Sequence, residues 1–258
     1  MNDEDYRSPV DPHCPVTHSR YDQLKPGMGH AAAAEQAPLA DVQRQKLQTF
    51  PFDAKQREVI GLAAAGANIF LTGVAGTGKS AVIERIVSNA RAAGKSVALT
   101  APTGVAALNV GGSTIHSMAG CGVPTVAAHF GRMWESQKRD NWRALDMLVL
   151  DEVGMVMGDF LDLMDHEVRR IRCTCRDRED KTKRCTCGSA EQPFGNVQLV
   201  FVGDFAQLPP VPGKINLMQQ CPKPDEPGAD LQLGVRDLSG LAFQTACWRE
   251  AKFSNFLL

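Results

Sequence analysis

Eight residues, Gly73–Ser80 with the sequence GVAGTGKS, have the composition and spacing of a phosphate-binding loop. They fit the pattern G-x-x-x-x-G-K-[S/T], in which glycines let backbone N–H groups close around a phosphate at the start of a helix. The pattern assigns Lys79 to the β- and γ-phosphates of a nucleotide and the Ser80 hydroxyl to Mg²⁺. The remaining small residues of the expected site are Gly73, Gly76, Thr77 and Gly78. The stretch therefore predicts a nucleotide site that uses Mg²⁺.

Two further clusters carry groups that a nucleotide hydrolase needs. Asp151 and Glu152 follow the apolar run MLVL; we expect Asp151 to bind Mg²⁺ and Glu152 to orient or deprotonate the attacking water. Asp204 and Gln207 lie in GDFAQLPP after another apolar run. Gln207 is placed to sense the γ-phosphate or to position water, although that stretch alone is also typical of a simple Gly- and Pro-rich turn.

Other polar stretches contain no catalytic acid or nucleophile. Gln56, upstream of the loop, is either a reader of the adenine edge or a solvated helix residue. APTGVAA contributes Pro102, Thr103 and Gly104, and STIHS contributes His116. Hydroxyl, N–H and imidazole donors of this kind suit the phosphates of a polymeric ligand. A structural histidine is the alternative for His116.

The elements that must position these residues can be read from hydrophobicity. Four short apolar runs are NIFLTG (68–73), SVALTA (96–101), MLVLDE (147–152) and VQLVFVGD (197–204), and segments with helical spacing at 80–94 and 160–171 lie between them. Buried strands that alternate with helices predict an α/β fold with a parallel sheet and helices on both faces. The carboxyl ends of parallel strands share one edge, where ligands bind. We therefore expect the polar clusters to converge on one site.

Composition limits the remaining possibilities. The chain has 258 residues, a net charge of −1 and 43% hydrophobic residues, so it has no overall basic field and DNA binding would need local donors. No apolar run reaches membrane-spanning length, and eight cysteines without a signal-peptide pattern indicate an intracellular, reducing location. Residues 1–49 are typical of a disordered tail, either dispensable or a partner-binding arm. The folded domain is expected at 50–258.

The motifs FDAKQREVI, GVAGTGKS, TAPTGVAALNVGGSTIHS, VLDEVGMV and QPFGNVQLVFVGDFAQLPPV occur in this order between Phe50 and Trp248. Together they resemble the first motor domain of the Pif (petite integration frequency) DNA helicases, RecD-like members of helicase superfamily 1. The resemblance implies a RecA-like P-loop NTPase domain and an ATP-driven motor that moves 5′ to 3′ on single-stranded or forked DNA. It also implies service in DNA repair, recombination and telomere maintenance, in the nucleus or mitochondrion rather than the cytoplasm.

The resemblance assigns roles to the same positions. Gln56 would contact adenine, and Gln207 would couple the γ-phosphate to movement. Thr103 and His116 would touch the DNA backbone. The groups that would handle the phosphates, Mg²⁺ and water are Lys79, Ser80, Asp151 and Glu152.

The sequence departs from that family in small and large ways. Gly154 stands where the family usually has Ser, and Ala206 where a bulkier residue is common. A Cys-rich insertion at 172–191 contains two C-x-C pairs, Cys173/Cys175 and Cys185/Cys187. Residues i and i+2 of a strand share a face, so a hairpin would bring four thiolates to one Zn²⁺, although one intervening residue is tight for zinc. Reduced surface cysteines and redox pairing are the other two interpretations.

Residues 50–258 fit one RecA-like domain and not two. We therefore expect the second motor domain, which would supply arginines to the γ-phosphate, to be absent, and turnover by this chain to be poor. Three functions stay open: the first motor domain of an ATP-dependent 5′–3′ DNA helicase, a one-domain ATP- and DNA-binding module without turnover, or a different P-loop ATPase that completes its site by oligomerising.

Overall fold

The computed structural model describes residues 50–124, 127–173, 188, 191–210, 213–216, 235–238 and 240–258. The expected tail at 1–49 lies outside these residues, as does most of the expected insertion at 172–191. Two sheets are present in the described part of the chain, one of six strands and one of two.

All pairings in the six-stranded sheet are parallel. Its strands are β1 (Ile69–Thr72), β2 (Val97–Ala101), β3 (Ser113–Thr114), β4 (Met147–Leu150), β5 (Gln198–Val202) and β8 (Ser254–Leu257), in the spatial order β3-β2-β4-β5-β1-β8. β6 (Gly213–Asn216) and β7 (Val235–Leu238) form a separate antiparallel pair. The four predicted strands are confirmed. The two edge strands were not predicted, because β3 has only two residues and SNFL in β8 alternates between half-buried and exposed positions.

Seven helices are described: α1 (Ala54–Ala64), α2 (Lys79–Ala92), α3 (Gly104–Val110), α4 (Ile115–Ala119), α5 (Ser136–Ala144), α6 (Gly158–Arg172) and α7 (Ala246–Ala251). The predicted segments at 80–94 and 160–171 match α2 and α6 to within two residues. No helix in the described ranges is both long enough and apolar enough to span a membrane.

The sheet has helices on both faces, as predicted. Successive residues of a strand point to opposite faces, and β4 shows this directly: Val149 packs with α1 and α2, whereas Leu148 and Leu150 pack with α5, α6 and α7. Each face thus has its own hydrophobic core. Strands buried on both sides explain why the apolar runs are continuous instead of alternating.

The first residue of the cysteine pairs is well placed in the fold. Cys173 follows α6 and is 1% exposed, so the interpretation of a surface cysteine is wrong for this residue. Arg172 beside it donates to the carbonyl of Gly195 at 2.8 Å, which joins the two ends of the insertion. The other predicted zinc ligands, Cys175, Cys185 and Cys187, lie outside the described residues, so the zinc site stays a prediction. Within the described ranges no cluster of three His, Cys, Asp or Glu residues has metal-binding geometry.

Candidate nucleotide site and DNA-facing edge

The predicted phosphate loop joins the end of β1 to the start of α2. Gly76 and Gly78 both have φ +85°, a left-handed backbone conformation that favours glycine. The Lys79 ammonium donates to the carbonyl oxygens of Gly73 at 2.6 Å and Val74 at 3.0 Å. The Lys79 charge is therefore held at the loop, next to the amino terminus of α2. The ammonium charge and the dipole of the helix both favour an anion there.

Gln56 lies against this loop and is 7% exposed. Its side-chain oxygen accepts a hydrogen bond from Asp53 N at 3.0 Å, and its Nε2 donates to Thr77 O at 3.1 Å. A β-carbon on Gly78 would fall 2.8 Å from Nε2. The solvated-helix interpretation of Gln56 is therefore wrong, because the residue caps α1 and supports the loop. One amide N–H and one oxygen lone pair remain for a ligand.

An aromatic pair that sequence reasoning missed borders the same loop. The rings of Phe50 and Phe52 lie 4.8 Å apart, and the Arg85 guanidinium lies 5.3 Å from the centre of the Phe52 ring. Phe50 is 39% exposed. The two rings are tilted by 53° and offer an apolar surface next to Gln56. The only signal for the pair in the sequence was its position at the start of the FDAKQREVI stretch.

The acidic pair follows β4 at the same edge of the sheet. Burial, followed by the neighbouring charge of Glu152, raises the pKa of Asp151 to about 6, while Lys79 acts in the opposite direction. β4 and β1 both neighbour β5 in the parallel sheet, so the acidic pair and the phosphate loop follow strands at the same edge. A carboxylate and the exposed Ser80 hydroxyl are oxygen donors of the kind that Mg²⁺ binds together with phosphates, so these residues fit the ion.

The GDFAQLPP turn lies between the other two motifs, because β5 separates β1 from β4 in the sheet. Asp204 accepts from Ala206 N at 2.9 Å and from the Gln207 side-chain amide at 3.5 Å. Gln207 is exposed. The strand order thus places the phosphate loop, Gln207 and the acidic pair side by side, as the sequence predicted.

Phe205 fixes this turn through contacts that the sequence did not reveal. Its ring lies 5.6 Å from Phe70, 5.8 Å from Trp248 and 4.8 Å from Phe243. Phe205 precedes β6 and Phe243 follows β7, so their contact joins the two ends of the β6–β7 ribbon. The turn next to the candidate γ-phosphate position and the base of the ribbon therefore share one aromatic cluster.

The predicted DNA-binding residues follow β2 and β3. Pro102 is half-buried, and Thr103 and Gly104 are exposed; the Thr103 hydroxyl accepts from Ala106 N at 3.2 Å and caps α3, which leaves its own proton for a ligand. The ring of His116 packs 4.5 Å from Phe160, and burial lowers its pKa. His116 is thus a half-buried residue that combines a packing role with any contact to a ligand.

Comparisons with known proteins agree with this geometry. The family model described as PIF1-like helicase matches residues 52–221. An ATP-dependent DNA helicase PIF1 of Saccharomyces cerevisiae is 40% identical over 162 residues, which is 61% of this chain and 17% of the yeast protein. The Xenopus laevis PIF1 helicase is 35% identical over 67% of this chain and 26% of its own length.

Solved structures give the same result. A Pif1 helicase from Candida albicans superposes with a TM-score of 0.57 at 30% identity, over 81% of this chain and 40% of that chain. A Bacteroides Pif1 helicase in complex with ADP-AlF3 and ssDNA gives a TM-score of 0.56 at 26% identity, over 81% and 42%. The chain thus spans less than half of each of these relatives. Since the family model covers well over half of its residues, the chain belongs to the PIF1-like helicase family.

Proposed function

We propose that this chain is an ATP-binding motor domain of a 5′–3′ DNA helicase, which binds Mg·ATP at the edge formed by β1, β5 and β4. The strand order β4-β5-β1 supports the proposal, because the Gly73–Ser80 loop, Gln207 and the acidic pair follow three adjacent strands. In this site Lys79 and Ser80 hold the phosphates and Mg²⁺, and Asp151 completes the ion's shell. Glu152 orients the attacking water.

The DNA assignment rests on the second half of the same edge. Thr103 and His116 follow β2 and β3, next to β4, so a strand laid across them would pass beside the nucleotide site. Relatives are named ATP-dependent DNA helicases, and one structural neighbour holds ADP-AlF3 and ssDNA. We extend the proposal to single-stranded or forked DNA as the partner, and to DNA repair, recombination and telomere maintenance in the nucleus or mitochondrion.

Nucleotide and DNA binding test this function separately. A fluorescent ATP analogue with Mg²⁺ is titrated into the 258-residue chain, and ATP hydrolysis is followed with and without oligo(dT). We expect Lys79→Ala to weaken nucleotide binding at least about tenfold and to abolish any hydrolysis that DNA stimulates. Lys55→Ala removes an equal charge from the exposed face of α1 and serves as the matched control. Equal binding by the two variants would contradict the proposed nucleotide site.

A further inference from the structure

A groove at the outer edge of the sheet, with a volume of about 380 Å³, lies beside the STIHS stretch and takes no part in the nucleotide site. It runs between the first half of β2 and helix α5. β3 pairs only with Thr100 and Ala101, and Gly112 lies against Leu99. Among the described strands none covers Val97 and Ala98 on this side. The groove occupies the space where a longer β3 would have lain.

The chemistry of the groove is that of an anion site with an apolar floor. The residues that line it include the apolar Val97, Ala98, Met118 and Leu145 and the polar Ser113, Ser117, Lys138 and Asn141. No Asp or Glu is among its described lining residues. Both serines are exposed, so hydroxyl, amide and ammonium donors lie around an apolar surface. These groups complement a nucleotide, whose phosphate accepts hydrogen bonds and whose base and sugar have apolar faces.

Lys138 is the cation of this groove and its position is fixed. Its ammonium donates to Ser117 O at 3.1 Å, and its side-chain carbons pack against Gly120, where an added β-carbon would lie 2.9 Å from Lys138 Cγ. One hydrogen bond leaves two of the three ammonium protons. In the described part of the chain no carboxylate lies within ion-pairing distance of Lys138.

One carboxylate lies near the far end of the groove. Asp146 follows α5 and accepts a hydrogen bond from Ser96 N at 2.8 Å. Its charge therefore makes the Ser96 end of the groove unfavourable for a phosphate. The opposite end, where Ser117 and Lys138 meet, is the end that continues into the STIHS stretch.

We propose that this groove binds a nucleotide of single-stranded DNA, with its phosphate at Lys138 and Ser117 and its sugar and base over the apolar floor. The inference rests on the proposed function, since it extends the DNA path from Thr103 and His116 around the β3 edge. An extended peptide added to β2 would fit the same edge. The lysine without a carboxylate partner, and the continuity with STIHS, favour DNA.

Binding of fluorescein-labelled oligo(dT) to the full chain, measured by anisotropy over a series of salt concentrations, tests the inference. Lys138→Gln should weaken binding about fivefold at low salt and reduce the slope of log K against log salt by about 0.7, the value for one phosphate contact on a single strand. Lys138→Arg keeps the charge and should restore most of the affinity. Asn141→Asp places a carboxylate in the groove and should weaken binding as much as Lys138→Gln, whereas Asn141→Ala should not.

The control is Lys55→Gln, which removes the same charge from α1 on the other face of the sheet. If Lys138→Gln and Lys55→Gln have equal affinity for oligo(dT) and equal slopes of log K against log salt, the inference is wrong. An extended peptide would then be the better candidate ligand for the groove. If wild type itself fails to bind oligo(dT), the proposed DNA-binding function fails first. Thermal denaturation of Lys138→Gln, Lys138→Arg, Asn141→Asp and Lys55→Gln checks that each variant compared is folded.

Discussion

Gly154 lies so close to Asp204 that a β-carbon on Gly154 would be 2.8 Å from the Asp204 carbonyl oxygen. On the other side of this contact, a β-carbon on Gly203 would be 2.9 Å from Val153 N. The turn that carries the acidic pair therefore lies in close backbone contact with the turn that carries Gln207. The two glycines set the distance between the proposed water-orienting group and the proposed γ-phosphate sensor.

Replacing Gly154 by Ala should separate the two turns. The added methyl group meets backbone, which cannot swing away, so we expect a loss of about 1–3 kcal/mol in the free energy of unfolding. If the proposed function holds, kcat should fall about tenfold while KM changes little, because the turns carry the chemistry rather than the bulk of nucleotide binding. Steady-state kinetics and urea denaturation measure both effects.

Gly61→Ala is the matched control for this change. Gly61 lies inside α1, and an added β-carbon there has no neighbour within 4 Å. Alanine is the better helix former, so this variant should be more stable than wild type by up to about 1 kcal/mol. An unfolding free energy that changes equally in Gly154→Ala and Gly61→Ala would show that the turns are not in contact.

We expect Asp151 to lower the free energy of unfolding of the ligand-free protein. Burial and Glu152 raise its pKa to about 6, so at neutral pH the protein holds a carboxylate that the unfolded chain would carry more easily. Asp151→Asn should therefore raise the free energy of unfolding of the ligand-free protein by up to about 3 kcal/mol. The same variant should lose the stabilisation that wild type gains from Mg·ADP.

Thermal denaturation with and without Mg·ADP measures these two opposite changes. Asp140→Asn removes an equal charge from an exposed position of α5 and should leave both the ligand-free stability and the nucleotide effect nearly unchanged. If the ligand-free Asp151→Asn protein has a lower melting temperature than wild type, Asp151 stabilises the fold and the prediction is wrong.

Much of this site was predictable because its determinants are local. A strand, a glycine loop and a helix start follow one another at Ile69–Lys79, so period and motif place them without tertiary information. The contact between Gly154 and Gly203 was not predictable from local sequence. Each position needs a glycine because backbone about fifty positions away in the sequence leaves no room for a β-carbon. Gly154 attracted notice in the sequence only as a departure from a family pattern. Likewise, Phe205 and Phe243 meet only after the β6–β7 ribbon folds back.

His116 gives the fold a dependence on pH. Burial against Phe160 lowers its pKa below 6.5, so the unfolded chain takes up a proton before the folded protein does. Its contribution to stability is complete above the unfolded pKa and is lost as pH falls from there towards the folded pKa. The free energy of unfolding should thus decrease as the pH falls below about 7, by no more than about 1.4 kcal/mol per pH unit for one group.

Urea denaturation of wild type and His116→Gln across this range isolates the effect. Burial also lowers the pKa of His129, but that residue is common to both proteins and cancels in the difference. Wild type should lose more stability on acidification than the variant. Parallel pH profiles for the two proteins would rule out His116 as the titrating group.

Arg172 holds the base of the Cys-rich insertion through a geometry that lysine cannot copy. Its guanidinium donates to Gly195 O at 2.8 Å, to Leu145 O at 2.9 Å and to Arg143 O at 3.1 Å. A lysine ammonium is a point donor without this planar fork. Arg172→Lys should therefore cost about 2–3 kcal/mol in the free energy of unfolding, because several backbone carbonyls at a partly buried position lose their donor. Arg139→Lys is the control, because Arg139 lies at a more exposed position and pairs with Asp140 in the described part of the chain. It should cost almost nothing; equal losses in the two variants would contradict the assignment.

Gln56 is expected to select adenine with the part of its amide that the loop does not use. Its bonds to Asp53 N and Thr77 O leave one N–H and one oxygen lone pair, which match the N7 acceptor and N6 donor of adenine but not the two acceptors of guanine. Gln56→Ala should therefore weaken ATP binding about tenfold more than GTP binding.

Asp53→Ala is the matched control, because it removes the α1 cap and leaves the Gln56 amide, and it should affect the binding of both nucleotides equally. Fluorescence titrations with the two nucleotide analogues decide the matter: an equal loss for ATP and GTP in Gln56→Ala would mean that Gln56 supports the phosphate loop without reading the base.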